Sequence, residues 1–372
     1  MRKLLPGFIA LLAACGAGGG SPDGTDGVPA PDLRGVDASS GDGRPADLGK
    51  DALPPADSAT DPVPELPPDA PADTPPGIKP PPKGPPPSLF DCTHDPDALP
   101  GRVSPVPLGC VLDPLCHDPM VVGHRGVGGN GGVVAPENSL SAFRAAIVLG
   151  VDGIELDVRT TLDGQLVLMH DGNLKRTTGV DADVGDLTFD EITAIPLLAG
   201  EKFTGDFSCE TVPSFAEALA LCKDRIFIDV DMKTGRGDLV ALAIQEAGML
   251  DQAFVSTEDA EVALLARETV PEVRVQLRAH TPEALQAGLD LFDPDPEIVE
   301  VYVEEIPWAE PMVHAAGLHL FTDVFIEDVR VVVLGENPDL YLDLYAAGAD
   351  ILQTEYPQFL VQVLGRSFPQ AE

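Results

Sequence analysis

Residues 153–158 read Gly-Ile-Glu-Leu-Asp-Val, and residues 226–233 read Ile-Phe-Ile-Asp-Val-Asp-Met-Lys. Both are short, β-rich runs in which carboxylates alternate with aliphatic side chains. Successive side chains of a strand point to opposite faces, so Glu155 and Asp157 share a face, as do Asp229 and Asp231, with Ile228, Val230 and Met232 opposite. An ionisable group inside an apolar strand is costly unless it is used. The end of a barrel strand is where such groups collect around chemistry.

Working outward, similar runs recur at 121–124, 154–158, 166–170, 226–231, 253–255, 273–277, 299–303, 319–321 and 351–354. Helical spacing fills several of the gaps. Leu140, Phe143, Ile147 and Val148 follow Asn138 or Ser139 as a cap; Phe215, Leu219 and Cys222 repeat the pattern, as do Leu239, Leu242, Ala243 and Ala247. Strands separated by helices predict a mostly parallel sheet covered by helices. Nine runs for eight positions favour a closed, irregular (β/α)8 TIM barrel over an open doubly wound sheet. The glycine-rich stretch at 126–132 lacks the strand-to-helix continuity of a dinucleotide-binding turn.

The rest of the chain is a different material. Of the 38 prolines, 19 fall between residues 16 and 87, beside 12 glycines. Residues 16–90 carry hardly an aromatic and bury too little apolar surface to offset chain entropy, which predicts a disordered spacer. The chain has 61 acidic and 23 basic residues, a formal charge of -38, and 49 of the acidic against 16 of the basic residues lie beyond residue 90. So acidic a domain offers no footprint for nucleic acid, because a polyanion needs basic groups.

Arg2 and Lys3 precede an apolar run over 4–14, too short to span a bilayer and suited to a secretion signal. It ends Leu12-Ala13-Ala14-Cys15, which resembles the lipobox of bacterial lipoproteins and implies cleavage before Cys15 and lipidation there. The expected organisation is a signal peptide at 1–15, a linker at 16–90, a cysteine-containing lead-in at 91–119 and the barrel at 120–368. The location implied is the bacterial cell envelope, with the membrane as partner through Cys15. Export permits disulfides, and local pairing predicts Cys110 with Cys116 and Cys209 with Cys222.

Four strand ends bear the polar groups: His124-Arg125-Gly126, Glu155-Leu156-Asp157, His170-Asp171 and Asp231-Met232-Lys233. Asp163-Gly164 is a tight-turn dipeptide; a hairpin setting Thr161 opposite Leu166 would set Asp157 opposite His170. Glu155, Asp157 and Asp231, converging on one volume, need a cation, and oxygen ligation suits Mg2+, Mn2+ or Ca2+. Asp229, on the same face as Asp231, is the alternative ligand further from the strand end. With Arg125 and two histidines beside that cation, the natural substrate is a phosphate ester, one imidazole taking a proton and the other supplying one. His117, His280, His314 and His319 have no such company in sequence and read as surface or packing residues.

These stretches, with Ala135-Pro136-Glu137-Asn138-Ser139, Arg176-Thr177-Thr178-Gly179 and Thr354-Glu355-Tyr356-Pro357, resemble the glycerophosphodiester phosphodiesterase family across about residues 120–368. The resemblance implies a barrel of the phospholipase C-like phosphodiesterase type. It also implies metal-dependent hydrolysis of a glycerophosphodiester to glycerol 3-phosphate and an alcohol. By position, His124 and His170 are then the acid–base pair, Arg125 and Lys233 bind the phosphate, and Glu155, Asp157 and Asp231 bind the metal, Asp231 standing where the family usually has Glu. The competing readings are a phospholipase D-like or phosphoinositide-cleaving lipase on the same barrel, and a barrel kept as a non-catalytic surface binding module. A membrane-docking aromatic loop would favour the first of these, and loss of an acid, base or ligand the second; neither feature is found.

Overall fold

A computed structural model describes residues 83–95, 98, 101–129 and 132–369. The expected signal peptide, Cys15 and all of the expected linker before residue 83 lie outside the described residues. Nine strands form one sheet: β1 (Met120–Gly123), β2 (Gly153–Thr160), β3 (Leu166–Leu168), β4 (Phe227–Met232), β5 (Ala253–Ser256), β6 (Arg274–Arg278), β7 (Ile298–Glu300), β8 (His319–Asp323) and β9 (Ile351–Thr354). The order β1-β9-β8-β7-β6-β5-β4-β2, with β1 also pairing β2 in parallel, closes an eight-stranded parallel barrel. β3 is the extra strand, antiparallel on β2. Every run expected from the sequence is therefore a strand, with ends shifted by a few residues.

The side chains divide by the period of two. Ile154, Leu156, Val158, Ile228, Val230 and Val255 face outward into one core shared with the helices. Phe227, Phe254, Ile298, Phe321 and Ile351 form a separate apolar layer near the strands' N-terminal ends, closed by Val106, Cys110 and Val111 of the lead-in. Gly153 leaves room for this floor, since a Cβ there would overlap the ring of Phe227. Above the floor the layer turns polar, with Glu155, Asp229, Gln276 and Gln353 all buried. The site lies on the C-terminal side of that layer, as in barrel enzymes generally.

The helix Leu140–Leu149 starts at Ser139, whose side chain accepts the backbone N–H of Ala142, and ends at Gly150 with a left-handed φ of 73°. The helix Phe215–Cys222 carries a capping box between Ser214 and Glu217. Its buried stripe includes Phe215, Leu219 and Cys222.

Two expectations are corrected. The hairpin register is one residue away from that predicted: Val158 pairs Leu168 and Thr160 pairs Leu166, so Asp157 stands opposite Met169, whose N–H donates to its carbonyl at 3.1 Å. The two-residue turn assumed would need positive φ at both Asp163 and Gly164. Only Gly164 has it, at 80°, and the loop closes with three residues between Thr161 and Gln165. The cysteine pairing also differs: Cys110–Cys116 forms, but Cys209 joins Cys92, 117 residues away. Cys222 is free and buried, turned into the apolar core by its helix and so out of reach of Cys209.

Candidate active site

β1 ends at Gly123, where a Cβ would collide with the carbonyl of Gly126. That close approach lets the chain turn sharply and place His124 and Arg125 over the barrel. His124 Nδ1 lies 2.5 Å from Glu355 Oε1, just past β9, and its Nε2 lies 3.8 Å from Glu155 Oε2. The ring of Phe325 packs on the imidazole, centroids 4.6 Å apart. Gly129 closes over the pair so tightly that a Cβ would come within about 3 Å of both His124 and Glu355. An ionised carboxylate only accepts hydrogen bonds, so Glu355 keeps a proton on Nδ1 and leaves Nε2 to face the site.

His170 repeats the device. Its Nδ1 is 2.8 Å from Asp171 Oδ1, and its carbonyl accepts from Arg159 Nε at 2.9 Å. Arg176 then holds Asp171 (2.7 Å) and Glu137 (2.7 and 2.8 Å), and Glu137 accepts from Arg125 Nη1 at 2.9 Å. Alternating charges thus run from Arg125 to His170. Burial alone would raise the Glu137 carboxyl, but Arg176 and Arg125 hold it at about 2.

Glu155, Asp157 and Asp231, paired side by side on β2 and β4, bring carboxylate oxygens within 4.8 Å of one another, all buried. Glu155 Oε2 accepts the N–H of Arg125 at 2.8 Å. Asn138, in a left-handed conformation with φ 53°, brackets Asp157: its amide donates to Oδ2 at 2.8 Å and its carbonyl oxygen accepts the Asp157 N–H at 3.2 Å. Asp231 accepts from Lys233 Nζ at 2.8 Å and Arg278 Nη2 at 3.1 Å. Burial and then repulsion by Asp157 and Asp231 push Glu155 well above the usual carboxylate range. Asp231 is held well below it: burial would raise it, but Arg278 and Lys233 outweigh burial. Asp229 sits deeper, bonded by Ser256 at 2.8 Å, and burial with Glu300 nearby raises it to about 8.

The carboxylate cluster fits a hard divalent cation. Asp157 Oδ1 is buried and accepts no hydrogen bond among the described residues, with Lys233 Nζ 3.8 Å away. Together with the raised Glu155, this is a set of oxygens short of positive charge, and all-oxygen ligation suits Mg2+, Ca2+ or Mn2+.

All seven residues predicted for the site reach this end of the barrel. Sequence reading had not given roles in the site to Glu355, Glu137, Arg176 and Arg278, nor to Asn138 beyond that of a candidate helix cap, which Ser139 provides instead. Glu355, Glu137, Asn138 and Arg176 lie inside the stretches that carried the family resemblance; Arg278, at the tip of β6, had no signal beyond its place at a strand end. His280 is at the rim, stacked on Tyr302 at 4.0 Å and 3.0 Å from Glu305. His117, His314 and His319 gather elsewhere, at the opposite end, whereas His94 bonds the carbonyl of Asp91 in the lead-in.

Residues 124–269 match the model of the glycerophosphoryl diester phosphodiesterase family. A glycerophosphodiester phosphodiesterase of Caldanaerobacter subterraneus is 41% identical over 117 residues, which is 31% of this chain and 46% of the relative. The chain thus spans about half the length of that curated relative. A glycerophosphoryl diester phosphodiesterase from Parabacteroides distasonis shares the fold at a TM-score of 0.58 and 23% identity, over 71% of this chain and 93% of its own. An Oleispira antarctica phosphodiesterase, solved with the product sn-glycerol-3-phosphate, does so at a TM-score of 0.54 and 24% identity, over 67% and 97%. Barrel, carboxylate cluster and sequence match agree: the stretch 124–269, which holds Glu155, Asp157 and Asp231, is similar to the glycerophosphoryl diester phosphodiesterase family.

Proposed function

We propose that this protein hydrolyses glycerophosphodiesters to glycerol 3-phosphate and an alcohol. The observation that carries the reading is the matched pair of histidines, each with Nδ1 on a carboxylate, set with a buried carboxylate cluster at one end of the barrel. A bound Mg2+, Ca2+ or Mn2+ on Glu155, Asp157 and Asp231 would supply positive charge against the non-bridging phosphate oxygens. Arg125 and Lys233 add to that charge and orient the phosphate. One imidazole Nε2 accepts the proton of the attacking hydroxyl, and the other, protonated, donates to the leaving oxygen. Glu355 and Asp171 hold each ring in place through its Nδ1. For each molecule of diester and water consumed, one phosphomonoester and one alcohol leave.

The proposal extends to location: the run before Cys15 supports export and lipid anchoring, and loss of fatty-acid labelling in Cys15→Ser tests it.

The deciding assay incubates the protein with glycerophosphocholine, lysophospholipid and sphingomyelin, with and without EDTA. Glycerol 3-phosphate release that needs metal and falls about 10²–10⁴-fold in His124→Ala and in His170→Ala supports the reading. Turnover of the lipid substrates alone would replace it with a lipase, and no turnover with a binding barrel.

A further inference from the structure

At the end of the barrel opposite the carboxylate cluster, three histidines that are far apart in sequence meet around one carboxylate. His319 opens β8, Asp350 immediately precedes β9, and His314 lies in the last turn of the helix Ile306–Ala315. His117 sits in the lead-in, one residue beyond the Cys110–Cys116 disulfide. Asp350 Oδ1 is 2.8 Å from His117 Nδ1; its Oδ2 is 2.9 Å from His314 Nε2 and 3.6 Å from His319 Nδ1. Oδ2 also accepts the N–H of Leu320 at 2.8 Å. The rings of His117 and His314 stand 4.9 Å apart.

His319 is the telling residue. Only 2% of it is exposed; its Nδ1 reaches Asp350 Oδ2 only at 3.6 Å, too long for a good hydrogen bond, and Nε2 has no hydrogen-bond partner among the described residues. A buried imidazole whose nitrogens are poorly satisfied is costly in free energy. It is aimed at the same carboxylate that holds the other two rings.

We propose that His117, His314, His319 and Asp350 form a second metal site, for a first-row divalent ion of the zinc class. Three imidazoles and one carboxylate are a zinc-type donor set, unlike the all-oxygen cluster at the other end. The ligand atoms of His117, His314 and Asp350 already lie within 4.8 Å of one another. His319 Nδ1 approaches this group through Asp350, at 3.6 Å; tetrahedral zinc with bonds of about 2.0–2.1 Å requires the rings to turn inward around that carboxylate, and His117, half-exposed, has the freedom to move. His314 keeps a partner for its other nitrogen, since Nδ1 is 3.4 Å from Glu310 Oε1, the outer carboxylate that metal-bound histidines commonly have. Four protein ligands leave no open position, so the ion is structural. It would tie the lead-in loop, a helix and the starts of two strands into one floor.

The test uses the full chain, stripped with a chelator and titrated with Zn2+ alone by calorimetry. A single tight equivalent is expected that persists in Asp231→Asn. His117→Ala and His314→Ala, checked for folding by circular dichroism, should weaken it by at least roughly tenfold, the lower bound for losing even an outer partner. X-ray absorption of the one-equivalent wild-type form should show scattering from imidazole rings, a readout that needs no variant. Zinc uptake unchanged in both histidine variants, lost in Asp231→Asn, or bound by a shell of oxygens alone would overturn the proposal.

Discussion

Glu355 and His124 are 231 residues apart in sequence and face each other across 2.5 Å, carboxylate oxygen to Nδ1. The contact fixes which nitrogen of His124 works. Glu355→Gln keeps an acceptor but removes the negative charge beside the ring; Glu355→Ala removes both. The expected outcome is a kcat lowered about 10²-fold in Glu355→Ala, less in Glu355→Gln, with KM little changed. Steady-state kinetics checks it, and the double variant with His124→Ala should be no worse than His124→Ala alone.

Asn138 holds Asp157 from two sides while its own backbone is left-handed at φ 53°. Asn tolerates that conformation better than most side chains. Asn138→Ala therefore strains the turn and frees Asp157. The divalent-ion concentration giving half-maximal activity should rise about 10–100-fold. Equal metal dependence in the variant and the wild type would rule this role out.

Glu137 is buried and held at about 2 by Arg176 and Arg125. Its pKa falls on folding, so the stability it contributes is present above the unfolded value near 4.5 and is lost as pH falls toward about 2. The linked contribution is on the order of 3 kcal/mol. Urea unfolding at pH 6 and pH 3 should show the wild type losing more stability on acidification than Glu137→Gln, which starts less stable.

The disulfide between Cys92 and Cys209 spans 117 residues. Closing so long a loop restricts the unfolded chain, and its loss should cost about 3–5 kcal/mol. Cys92→Ser, Cys209→Ser and the double variant should unfold at the same denaturant concentration, below the wild type. A double variant markedly less stable than either single one would show that the two cysteines do not act as a pair.

How much was legible in the sequence follows from the range of each interaction. The nine strands were readable because alternation is a property of neighbouring residues, and Glu155 with Asp157 declares a face within three positions. The hairpin register was not, because it turned on whether Asp163 would take a positive φ, and Thr161 and Gln165 closed the loop with one more residue instead. The Cys209–Cys222 pairing failed for a related reason. Nearness along the chain says little once Cys222 is turned inward on a helix.

By itself, the sequence determined the barrel, its apolar outer face, and the strand ends that carry His124, Arg125, Glu155, Asp157, His170, Asp231 and Lys233. Each of these rests on local periodicity or on residues that resemble a family's motifs. Only the tertiary structure decided what each imidazole leans on. It set Glu355 against His124, linked Arg125 to His170 through Glu137, Arg176 and Asp171, and gathered His117, His314 and His319 around Asp350. The physical reason is closure: when parallel strands curl until β1 meets both β2 and β9, residues from the two ends of the domain become neighbours, and no local pattern encodes that meeting.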